Sequence, residues 1–167
     1  MGRETSAFHR RDTLTHPATL FAVALSLCAP TAVAQEKLGE LLDAGAKVLP
    51  PEQFKEELVQ HLLAGPTASG VALEVVYTGK GLVQGSATGL GVMGPATGGP
   101  VPVNGEWKTD ENGRICTSMR FGFSVGPGYG VTLPFRCQFW FKYKEAYFLS
   151  DSDWDRQSRV LRRTVKQ

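Results

Sequence analysis

Histidine runs out early in this chain. His9, His16 and His61 are the only three in 167 residues, and none lies beyond His61. A hydrolase whose chain order runs serine, aspartate, histidine is thereby excluded. The point bears on Gly122 to Gly126, which reads GFSVG and fits the G-x-S-x-G pattern of a nucleophile elbow at Ser124. Such an elbow needs a strand before the serine, a sharp turn through it, and a helix after it. The residues that follow are VGPGYG, and three glycines with a proline do not start a helix. A glycine-rich hairpin loop is the better reading. A hydrolase using Ser124 is the lesser alternative, with His61 as the one imagined base.

Other absences exclude other classes. A dinucleotide fingerprint needs a strand before its glycines and a helix after them. GLGVMG, Gly89 to Gly94, is followed by PATGGPVP and cannot continue as a helix. TGKG lacks the flanking residues of a phosphate-binding loop. Charge of one sign is also missing. The formal net charge is +2, so nothing in it implies nucleic acid as a partner. No cofactor or metal is called for by any motif. Beyond the first 34 residues there is no second long apolar run.

That N-terminal stretch has the pattern of a secretory signal peptide. Arg3, Arg10 and Arg11 give a positive start, Ala18 to Ala29 are apolar or small, and Ala32-Val33-Ala34 precedes Gln35 as an A-x-A cleavage site. Leu27 before Cys28 does not suit lipoprotein processing, and Thr13 after Arg10-Arg11 does not suit twin-arginine export. The expected organisation is a signal peptide over residues 1–34 and a single domain over 35–167, in the periplasm or outside a bacterial cell. Cleavage between Ala34 and Gln35 removes three basic and two acidic residues. Two cysteines then remain, Cys116 and Cys137, and in an exported chain such a pair reads as a disulfide.

The mature chain opens with helical patterns. One covers residues 36–47, with Leu38, Leu41 and Leu42 on a face; a stronger one starts at Pro51 and carries Phe54, Leu58 and Leu62 at every fourth residue until Gly65-Pro66. After Gly70 the period shortens to that of strands. VALEVVYT, LVQGSAT, VNGEWKT, RICTSMRFGF, VTLPFRCQFWFKY and AYFLS are expected strands, and Ser158 to Val165 is a last strand or a short helix. The resulting class is α+β. Short N-terminal helices pack on an antiparallel sheet or a small barrel of six to seven strands.

The pleat sets a puzzle at the cysteines. Phe135, Cys137, Phe139, Phe141 and Tyr143 share one face of their strand, which looks like a core face. Cys116 lies opposite Ile115, Met119 and Phe121, on the polar face of its own strand. A flat hairpin cannot join the two sulfurs. Either a bulge, at a position such as Pro134, shifts the register, or one strand is buried on both sides.

GEWKTDENGRIC, Gly105 to Cys116, together with the upstream LVQHLLAGPTASG, resembles a family of small exported proteobacterial proteins, the one catalogued as domain of unknown function 995. The family pattern is Gly, Trp, a Gly-Arg turn and Cys, with a second Cys about twenty residues on. The resemblance spans roughly residues 54 to 150, and the loop from Gly89 to Pro102 is longer than that pattern. It implies secretion, a β-rich fold and the disulfide, and it brings no catalytic residues.

Little catalytic chemistry is left. Asp151, Asp153 and Asp155 alternate as calcium ligands do, but a central glycine and a terminal glutamate are missing, so a solvated turn is the simpler reading. Asp110 and Glu111 read as turn residues. The expected function is that of a non-catalytic exported envelope protein acting by binding. Trp140, flanked by Arg136 and Lys142, is the candidate surface for a glycan, an anionic polymer or an envelope protein, provided the odd residues of its strand face inward; the alternative is a Trp140 covered by the N-terminal helices. The alternative is a small lipocalin-like barrel holding an apolar ligand.

Overall fold

The computed structural model describes residues 37–90, 99–122 and 130–166. Two short helices, α1 (Leu38–Asp43) and α2 (Pro51–Leu58), flank a two-residue strand, β1 (Lys47–Val48). Eight longer strands follow: β2 (Leu62–Pro66), β3 (Ala72–Tyr77), β4 (Leu82–Thr88), β5 (Val101–Thr109), β6 (Ile115–Gly122), β7 (Gly130–Tyr143), β8 (Ala146–Ser150) and β9 (Leu161–Lys166). Each of these eight pairs antiparallel with its neighbour in sequence, and β9 returns to pair with β2. The result is a closed up-and-down barrel, in which residues 130–138 of β7 extend beyond β8 and pair with β6 alone. The sheet therefore closes, with eight strands in place of the six or seven expected. Among the described residues no helix is long and apolar enough to cross a membrane.

The additional strand comes out of what reads as helix. Leu58 and Leu62 keep a four-residue spacing, yet α2 stops at Leu58. Val59 is extended and Gln60 takes a positive φ of 72°, which ends the helix and turns the chain. Leu62 to Pro66 then gain a ladder from β3, and Leu62 to Ala64 a second one from β9. Leu63 points into the barrel and is fully buried. Gly65 and Pro66 are poor helix formers, so the barrel closure outweighs the weak helical signal of the leucines. The tail, open between strand and helix in the sequence, is the strand β9.

Inward positions follow the pleat. Leu73, Val75 and Tyr77 of β3, Val83 and Ala87 of β4, and Val101, Val103 and Trp107 of β5 are buried in one core. At Gly105 a Cβ would stand 2.0 Å from the Ser118 carbonyl oxygen, so only glycine lets β6 approach β5 this closely.

The cysteine puzzle is resolved by both of the devices that could resolve it. Thr117 pairs with Arg136 and Met119 with Leu133, so Ser118 alone faces Pro134 and Phe135. This is a β-bulge with its extra residue on β7. Before it, Val131 and Leu133 share the inward register of Phe121 and Met119; after it, Arg136, Gln138 and Trp140 do. Cys137 thereby lands on the outer face opposite Cys116, its direct partner, and the two form a disulfide with Cα atoms 3.8 Å apart. The expectation that Cys137, Phe139, Phe141 and Tyr143 line the core of the sheet is thus corrected by one bulge. Phe141 is nevertheless fully buried, because α1 covers that outer face. Leu38 and Leu41 pack there with Phe141, Phe148 and Val160 as a second, smaller core.

Candidate functional site

The topology puts alternate turns at alternate ends. One end carries the β3–β4, β5–β6 and β7–β8 turns, and here α2 enters as a plug. Pro51 supplies a preformed first turn, and its ring lies 3.7 Å from where a Cβ on Gly113, in the β5–β6 turn, would sit. That turn is held by Asp110, whose carboxylate accepts from the Asn112 and Arg114 amides and from the Arg114 guanidinium. Phe54 of α2 drops into the barrel. Its ring meets Tyr77, Trp107 and Trp140 at centroid distances of 5.3, 5.4 and 4.9 Å, edge-on or tilted. The Trp107 indole N–H donates to the Thr78 carbonyl, so the cluster buries no unmet donor there.

The plug is also tied by charge. Glu57 of α2 accepts from the Lys142 ammonium at 2.6 Å and from the Tyr147 hydroxyl at 2.7 Å. The hydrogen bond from Lys142 holds the Glu57 carboxyl below its ordinary range, with Tyr147 adding to the effect against partial burial. Burial and the same contact raise the Tyr147 hydroxyl well above its usual range.

Above this floor the barrel is hollow. A cavity of about 440 Å³ lies on Tyr77 and Trp140, with Leu73, Met119, Phe121 and Leu161 among its walls. Its rim includes Thr67 and Ala68 of the β2–β3 turn and the exposed Leu133 and Phe135 of β7. At that rim Arg136 donates to Asp151, and Gln138 donates to the same carboxylate at 3.0 Å. Among the described residues the walls carry no carboxylate, but they carry two arginines, Arg136 and Arg163.

Trp140, Arg136 and Lys142 share the inner face of β7, with Trp140 buried and the two cations partly exposed at opposite ends. Trp140 is 2% exposed and forms cavity floor, so it is not a surface platform. The bulge inverts the parity on which its exposure depended. Arg136 sits at the open rim and Lys142 at the plugged end, each with a carboxylate partner.

The remaining candidates separate. His61 is exposed in the turn between α2 and β2. Ser124 lies outside the described residues, as do Ala34 and Gln35, the glycine-rich segment 91–98 and the whole of residues 1–36. Asp151 is held by Arg136 and Gln138, while Asp155 accepts from the Gln157 amide and the Ser158 hydroxyl, so these two carboxylates are engaged separately within the turn. The sulfurs of Cys116 and Cys137 lie near Asp110, but they are consumed by their mutual bond.

Sequence reasoning missed Arg163, which is 6% exposed and points inward from β9. Its one signal was an arginine at an inward position of an otherwise apolar alternation, Leu161, Arg163, Val165, in a tail left undecided between strand and helix. A closed, plugged, eight-stranded antiparallel barrel with an apolar cavity is the class of molecule that fold and site define. Comparison with protein-family models, with the curated proteins and with the solved structures gave no match.

Proposed function

We propose that this chain is an exported, non-catalytic binding protein whose barrel takes up a small, largely apolar ligand. The observation that carries this is the cavity of about 440 Å³ inside a closed barrel. Eight strands enclose an interior that side chains can just fill or that holds one small ligand. Among the described residues, aromatic side chains fill one end and leave a cavity at the other. The volume falls in the range of small-molecule sites, whose walls are mostly apolar with a few placed polar groups. Export is supported by the signal-like residues 1–34, by the Cys116–Cys137 bond, and by the resemblance of Gly105 to Cys116 to a secreted family.

The test is a fluorescence titration with N-phenyl-1-naphthylamine, a neutral apolar probe that brightens when it leaves water. One-to-one, saturable binding with energy transfer from tryptophan is expected. Met119→Trp, which fills the cavity, should abolish it while the protein stays folded. Absence of saturable binding to the wild-type protein would refute the reading.

A further inference from the structure

Arg163 is a cation held inside the barrel, and among the described residues no anion meets it. It is 6% exposed and forms no salt bridge with any of them. One nitrogen, Nη1, donates to the Pro66 and Arg162 carbonyls at 2.6 and 3.0 Å. Nε and Nη2 donate to none of the described residues. Yet among those residues no fully enclosed side-chain nitrogen or oxygen lacks a partner. Nε and Nη2 therefore touch open space, and for a buried side chain that lines the cavity, that space is the cavity.

The setting is built for this side chain. A Cβ on Gly65 would stand 2.8 Å from Nη1 and 2.2 Å from the Arg162 carbonyl, so a side chain there would displace the guanidinium. Two hydroxyls line the same cavity. Those of Tyr77 and Thr117 are 3.5 Å apart, a long contact that leaves both able to bond a ligand. The other arginine of the walls, Arg136, is already engaged by Asp151 at the rim. A buried guanidinium without a counter-charge is costly, since it stays charged at all ordinary pH and the interior screens poorly. Burial accordingly pushes its pKa down. A planar fork of N–H donors facing an apolar chamber matches a carboxylate or a similar oxyanion attached to an apolar body.

We propose that the cavity is specific for anionic amphiphiles, a hydrocarbon body ending in a carboxylate-like group, and that Arg163 binds that group through Nε and Nη2. The inference rests on the carrier reading above and adds the ligand's charge to it.

The experiment displaces N-phenyl-1-naphthylamine with decanoate, decanol or decyltrimethylammonium, which share a chain and differ in head group. Wild-type protein should bind decanoate between about ten- and a hundred-fold more tightly than decanol, the range expected for a charge-assisted hydrogen bond, and the cationic amphiphile most weakly. Arg163→Met should bring decanoate down to the level of decanol and leave the neutral probe in place; Arg163→Lys should keep part of the preference. Equal wild-type affinity for decanoate and decanol would overturn the proposal even if Arg163→Met failed to fold, as would a preference that survives in Arg163→Met. Failure of the neutral probe itself to bind would instead remove the carrier reading, and this inference with it.

Discussion

At one end of the barrel, Phe54 is wedged among Tyr77, Trp107 and Trp140 with no space between the rings for a ligand. At the other, the same inner wall surrounds about 440 Å³ of emptiness. Both ends are lined from the same strands, so the difference lies in what enters. The plugged end receives a helix whose two apolar residues, Phe54 and Leu58, are fully buried, and a carboxylate that meets two donors. Among the described residues the hollow end receives the β2–β3 turn, an exposed half of β7 and an arginine. Voids forfeit dispersion contacts and buried charge costs solvation, so the hollow end gives up stability that the plugged end supplies. On the proposed reading, a well-packed half carries the half that binds.

The comparison can be broken first at the plug. Phe54→Ala removes the ring that touches all three others and should destabilise by about 3 to 5 kcal/mol in urea denaturation. Met119→Trp, in the hollow half, should cost far less, because its added atoms enter existing space. Comparable losses from the two would erase the distinction between the ends. Next in size is the disulfide. It joins β6 to β7 beside the bulge that re-aims Trp140, and Cys137→Ala should cost about 2 to 5 kcal/mol by the same assay.

Much of this fold was legible in the sequence because its strands are locally consistent. LVQGSAT coincides with β4, and the cysteine parity conflict demands either a bulge, at a position such as Pro134, or a strand buried on both sides. The parts that were not legible depend on partners distant in sequence. Leu62 becomes extended only because β3 and β9 both pair with it, and Trp140 turns inward only because one extra residue upstream reverses the face of the strand. The cavity was legible only as an alternative, since filled and hollow eight-stranded barrels share the same alternation. Arg163 needed the barrel closed before its side chain had an inside to face.

Smaller effects sharpen the account at the rims. Glu57→Gln should weaken the plug by about 1 kcal/mol or less, because the pair with Lys142 is half-exposed and screened by solvent. The sign with pH follows from the depressed Glu57 value. Its contribution is present above the ordinary value of 4.5 and is lost as pH falls through the lower folded value. Thermal melts of wild type and Glu57→Gln should therefore differ at pH 7 and converge in acid. At the open rim, Arg136→Ala should change stability least, by roughly 0 to 1 kcal/mol, since both partners of its pair with Asp151 are more than half exposed.

The claim that the hollow half is the binding site is tested most directly by NMR on methyl-labelled protein with N-phenyl-1-naphthylamine bound. The account predicts intermolecular NOEs from the probe to the methyl groups of Leu73, Met119 and Leu161, and none to Leu38 or Leu41 on the buried face of α1. NOEs confined to Leu38 and Leu41, or to the exposed Val48 and Leu82, would place the ligand outside the barrel and contradict it.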